Sequence, residues 1–150
     1  MRIFISARYG RREEMIQRAA ELVEAGHEIV SRWLYVDGMT EDAREVEAAT
    51  KSMPVLKAMP FAIEDLSDLD NAEVFIAFTE ETSSPYGRGG RHVEYGIALE
   101  GFFNHQLKNI FIIGPRENIF HCLPGDFSRY IYHYPKWDLK QVKAKLDTVA

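Results

Sequence analysis

Two short stretches, Val-Phe-Ile-Ala-Phe at 74–78 and Asn-Ile-Phe-Ile-Ile at 109–113, limit most severely what this chain can fold into. Apart from Asn109, every side chain in them is apolar, and most are β-branched or aromatic. A strand with one wet face alternates apolar and polar residues. An unbroken apolar run of strand length is what a strand covered on both faces requires. Such strands belong to parallel sheets with helices above and below.

The rest of the chain supplies those partners. Residues 1–6, MRIFIS, read as a first strand. Residues 11–25 place Met15, Ile16, Ala19, Ala20, Leu22 and Val23 at helical spacing, and Gly26 is a natural stop. Residues 27–33, HEIVSRW, read as a second strand. The acidic stretch 37–51 fits either a helix or a mobile loop. Pro54 and Pro60 punctuate the next part of the chain, and 62–71 reads as a helix. A further helix spans 92–103, with Val93, Ile97 and Leu99 directed inward. A last strand covers 130–134, and a last helix covers 138–149 with Asp138 as its N-cap. The expected architecture is α/β: one domain over residues 1–150, a Rossmann-like or flavodoxin-like three-layer sandwich with a mainly parallel five-stranded sheet. In such sheets ligands sit beyond the carboxyl ends of the strands. Three loops lie there: 6–12, 79–90 and 114–125.

Charge and cysteine content narrow the function. The formal net charge of -5 argues against a nucleic-acid polymer as partner, because such binders carry a basic surface. A small anion held by a local basic loop remains compatible. The one cysteine, Cys122, excludes an internal disulfide and fits a reducing cytoplasm. It stands beside His121 with no second pair at a zinc-site interval, so no metal site is expected. Flanked by apolar residues, Cys122 reads as a small buried hydrophobe rather than a nucleophile. No apolar run approaches membrane-span length, and the first residues turn polar too soon for a signal peptide.

The first loop, SARYGRR, lacks the G-x-G-x-x-G fingerprint of dinucleotide sites. It holds Ser6, Arg8, Tyr9, Arg11 and Arg12 near a helix start, where arginines can bind phosphate or stack on a base, or simply be solvated. The second loop brings Gly87, Arg88, Gly89, Gly90 and Arg91 to the start of a helix. Glycines allow close backbone approach, and the helix amides favour negative charge. The third loop starts at Gly114. Its Glu117 and Asn118 can hydrogen-bond a sugar or base edge, and its Phe120 and His121 can stack; it can equally be a plain turn with a short helical segment packed on the core.

Glu94 lies in the first turn of the helix after the glycine loop. A glutamate there is often only a dipole partner. A second acidic group, Glu64, Asp65, Asp68 and Asp70, precedes the strand at 74–78. Two carboxylates across a pocket are what glycosidic cleavage needs: one to trap an oxocarbenium-like sugar, one to manage the proton of the leaving group.

These residues also carry a resemblance. RIFISARYG, DLSDLDNAEVFIAFTE, GGRHVEYGIALEG and NIFIIGPRENIFHCLPG resemble the nucleoside 2-deoxyribosyltransferase superfamily, including its 2'-deoxynucleoside 5'-monophosphate N-hydrolase branch. The string Val93-Glu94-Tyr95-Gly96-Ile97-Ala98-Leu99 matches the family's V-E-x-G-x-A-L setting. The similarity implies that Glu94 is the nucleophile and that Asp65, with Asp68 next in alignment, is the upstream aspartate. It further implies sugar or base contacts from Ser6, Arg8 and Tyr9, a nucleoside or nucleotide substrate, and a homodimer or larger homo-oligomer; Asp68, Gly87, Arg88, Gly89, Gly90, Arg91, Gly114 and Asn118 complete the substrate-binding candidates, and no cofactor is needed because both carboxylates come from the chain. Glu73 stands where the family usually has aspartate. Glu80 and Glu81 are the candidates for a further base-recognition acid. The segment GPRENIFH is unlike the transferase third loop, which leaves transfer and hydrolysis both open. A nucleotide sensor without turnover, or a structural partner in a larger complex, are the competing readings.

Overall fold

The computed structural model describes residues 1–36, 55–81, 89–124 and 130–148. Five strands, β1 (Arg2–Ser6), β2 (Glu28–Ile29), β3 (Val74–Phe78), β4 (Asn109–Ile113) and β5 (Tyr130–Tyr134), form one sheet in the order β2-β1-β3-β4-β5. Every pairing is parallel. The described helices are α1 (Arg12–Glu24), α2 (Val55–Asn71), α3 (Gly90–Phe103) and α4 (Leu139–Leu146). This is the flavodoxin-like order, whose chain direction switches between β1 and β3.

Side-chain alternation along the buried strands builds two cores. Ile3, Ile5, Val74, Ile76, Phe78, Phe111 and Ile113 pack with Met15, Ala19 and Leu22 of α1 and with Val142 and Leu146 of α4. Phe4, Phe75, Ala77, Ile110 and Ile112 face the other way, onto Leu69 of α2 and Tyr95, Ala98, Leu99 and Phe102 of α3. Both β3 and β4 are buried at every position, as their unbroken apolar sequences require. Asp138 caps α4 by accepting from Gln141 N at 3.2 Å.

Several boundaries differ from the sequence reading. The second strand is only two residues long, and Arg32–Leu34 form a 3-10 turn. The reason is that β1 finds side-chain partners there. Ile3 O still accepts from Val30 N at 3.0 Å. Ile5 N instead donates to Ser31 Oγ at 2.5 Å, and Ile5 O accepts from Trp33 Nε1 at 2.8 Å. With both groups satisfied, no longer ladder is needed. Pro60 lies inside α2 rather than before it. It falls in the second turn, where its missing N–H removes one bond of a 17-residue helix. On α3 the buried stripe is Arg91, Tyr95, Ala98, Leu99 and Phe102, so Val93 points outward and is 63% exposed. Cys122 is exposed, not buried, because the 3-10 turn Ile119–Cys122 turns its neighbour His121 into the core instead. The acidic stretch 37–51, Gly87 and Arg88 lie outside the described residues.

Candidate active site

The site forms where the chain switches direction. Ser6 ends β1 and is almost fully buried. The helix that follows β3 carries Glu94 across to it, and the Ser6 hydroxyl donates to Glu94 Oε2. Because α3 begins at Gly90, Glu94 stands in the second turn, beyond the region of strongest helix-dipole stabilisation. Its surroundings do not favour the charged form. Burial pushes the carboxyl up to about 7, and the negative charge of Asp65 adds to that; the Ser6 hydroxyl and Arg91 pull the other way.

The acidic group on α2 divides into two roles. Asp68 is buried and committed to Arg32: its Oδ2 accepts from Arg32 N at 2.9 Å and its Oδ1 from Arg32 Nε at 2.7 Å. That pair clamps α2 to the 3-10 turn after β2. Asp65 is partly buried. Burial, then the charges of Asp68 and Glu64, raise its carboxyl to about 6 against the opposing pull of Arg32. Asp65 and Glu94 behave as a coupled pair near neutral pH, a pattern frequent at reactive sites.

The other sequence candidates fall around this pair unevenly. Arg8 and Tyr9 sit in the turn directly after Ser6, and Arg8 Nε lies 3.6 Å from Glu80. Arg11 reaches the same carboxylate at 3.3 Å, so the acid expected near the end of β3 ties the first loop to the second. Gly89 and Gly90 open α3, with empty space where a Cβ would stand. Arg91 is buried and makes a two-pronged ion pair with Glu117, one arm at 2.6 Å. Asn118 caps its own 3-10 turn, accepting from Phe120 N at 2.9 Å. Gly114 has φ +115°, and a Cβ there would meet Thr79 Oγ1 at 2.5 Å, so glycine is required for β3 and β4 to finish side by side. Sequence reading missed Trp33, which it placed within a strand. Its ring is tilted against Tyr9 at 6.3 Å between centroids, beside the end of β1. A strand-like context carries no signal that a tryptophan will turn against Tyr9.

Among the described residues, His92, Glu117 and His121 offer ligand atoms within 4.8 Å of one another. The set does not fit a metal ion. Both Glu117 oxygens are held by Arg91, whose charge opposes a cation. His121 Nδ1 accepts from Glu117 N at 3.1 Å, which places the ring proton on Nε2. A cleft of about 240 Å³ between α2 and α3, lined by Leu66, Leu69, Ile97 and Leu107 among others, lies towards the amino ends of the strands, away from Glu94.

The chain matches no family model, and no curated protein matches it by sequence. Among solved structures it is similar to the CMP N-glycosidase BcmB of Clostridium botulinum, with a TM-score of 0.51 and 20% identity over 99% of each chain. That likeness establishes a common fold along the whole described length. No helix among the described residues is long and apolar enough to cross a membrane.

Proposed function

We propose that this protein cleaves the N-glycosidic bond of a nucleoside, a deoxynucleoside or a nucleoside 5'-monophosphate. Glu94 attacks C1' of the sugar. The bond to the base breaks, its electron pair leaves with the base nitrogen, and Asp65 handles the proton that the departing base takes up. The glycosyl ester on Glu94 is then resolved by water or by a second base. Arg8 and Tyr9 line the sugar or base side, and the loop with Gly87, Arg88, Gly89 and Gly90 takes the 5' end. One observation carries the reading: at a topological switch point, a partly buried glutamate held by Ser6 faces a second carboxyl, and both are raised towards neutrality. The fold held in common with a CMP N-glycosidase supports the same chemistry. No cofactor enters the scheme, because both acids come from the chain. We place the reaction in the cytoplasm, consistent with a single unpaired cysteine, and assign the active form as a homodimer or larger.

The test is release of free base from a panel of nucleosides and their 5'-monophosphates, followed by chromatography with and without an added acceptor base. Glu94→Gln and Glu94→Ala should each lose at least about a thousandfold in rate. Asp65→Asn should lose about a hundredfold. Full turnover in both Glu94 variants rejects the nucleophile assignment. Tight binding with no base released under any condition favours the nucleotide sensor instead.

A further inference from the structure

Arg91 lies one turn before Glu94 on α3, and its guanidinium grips Glu117 with both arms. Both side chains are at most 10% exposed. An isolated buried ion pair adds little net stability over an apolar pair of the same size, so stability alone does not account for it. Two more contacts, both from Tyr95, join the same two segments, and one further bond stiffens the loop itself. Glu117 N donates to His121 Nδ1 at 3.1 Å. Tyr95, the residue after Glu94, donates from its hydroxyl to Phe120 O at 2.9 Å. Its ring meets His121 edge-on, 4.7 Å between centroids. The turn of α3 that presents Glu94 is thus bolted to the loop after β4 on both sides of the glutamate.

The charges facing Glu94 are few. Asp65 faces it from α2, Arg91 from its own helix, and the Ser6 hydroxyl from β1. His121, which accepts from Glu117 N, is itself faced by Glu117, His92, Arg91 and His133 of β5. Of the pair, Arg91 is the member whose charge reaches Glu94.

We propose that Arg91 and Glu117 form a positioning pair for Glu94, fixing the helical turn that presents the carboxylate and setting the charge it works against. This rests on the reading that Glu94 carries the chemistry. Neither residue touches substrate in this scheme. Removing Arg91 takes away the positive charge that reaches Glu94, which makes Glu94 hold its proton more tightly. Removing the charge of Glu117 leaves Arg91 unbalanced, which makes Glu94 release its proton more readily. The two single variants should therefore move the same property in opposite directions.

The experiment measures the proton affinity of Glu94 in the whole protein by two readouts: the pH midpoint for the ionisation of Glu94 in kcat/KM, and the carbon-13 shift of its labelled carboxyl, assigned by its loss in Glu94→Gln. Arg91→Gln should raise both midpoints by roughly one pH unit, and Glu117→Gln, which frees Arg91 of its counter-ion, should lower both by a smaller amount. The double variant Arg91→Gln with Glu117→Gln should keep most of the rise seen in Arg91→Gln, because Arg91 is the member whose charge reaches Glu94. Should Arg91→Gln fail to fold, Glu117→Gln and the double variant still give the contrast. Midpoints that stay put, or that move the same way in both single variants, overturn the proposal. A parent protein that releases no base, yet whose carboxyl signal shifts as described, overturns the proposed function and leaves the positioning role standing.

Discussion

At the scale of single residues, two acids with raised proton affinity make pH the sharpest probe. The scheme needs Glu94 ionised and Asp65 protonated, and burial raises the two carboxyls to about 7 and about 6 as a coupled pair. The productive state is thus a one-proton form of the pair. Its population peaks midway between the two values. The profile of kcat/KM should be a narrow bell centred at roughly 6.5. A flat rate from pH 5 to 9 would be incompatible with this pair. The same carboxyl has a thermodynamic signature. An unfolded glutamate titrates at about 4.3, so between there and about 7 the native state keeps a proton that the unfolded chain has lost. Stability from this group is complete below the unfolded value and drains away as pH rises through the folded one. Glu94→Gln removes that loss. The variant should gain on the order of 2 kcal/mol over the parent at pH 8 and little at pH 4. Denaturation at the two pH values measures it; an advantage independent of pH would point to packing instead. Asp68 is the contrasting residue. In sequence it was a second candidate for the upstream aspartate, and only the fold reveals that Arg32 holds both its oxygens.

At the scale of elements, what was legible came from burial on two faces. Strands β3 and β4 could be read directly, because no other element of that length is uniformly apolar. The short β2 could not be read, because its end is set by hydrogen bonds from Ser31 and Trp33 to the backbone of Ile5, and such bonds leave no periodicity. For the site, the position of Glu94 after a glycine loop was readable, whereas its serine partner and the Arg91–Glu117 pair depend on contacts across 88 and 26 residues of chain. Two predictions belong here. Ser31→Ala strips the acceptor from a buried N–H and should cost about 1–3 kcal/mol, most of it recovered in Ser31→Thr if the extra methyl is accommodated. Gly114→Ala combines a left-handed backbone with a clash against Thr79 and should cost roughly 2 kcal/mol or more. Chemical denaturation checks both, and an unchanged midpoint in either case contradicts the account of that position.

At the scale of the whole molecule, apolar spacing alone cannot say what covers a face. The pattern that correctly turned Leu99 inward also turned Val93 inward, and Val93 is mostly exposed. On α2, Met59, Ile63 and Leu66 follow helical spacing and are each about half exposed or more. Exposed apolar residues scattered singly need no explanation, but three on one helical face suit an interface between copies. The proposed homodimer gives this face its use. A charge at its centre should then weaken association without touching either core. Ile63→Glu combined with Leu66→Lys should convert a dimer to a monomer in light scattering at micromolar concentration, with the circular dichroism spectrum unchanged. If a neighbouring subunit also completes each site, base release by that variant should fall in step with the loss of dimer and return at high protein concentration. A parent protein that is monomeric at every concentration tested would instead leave this face without a partner copy, and each active site would have to be complete within one chain.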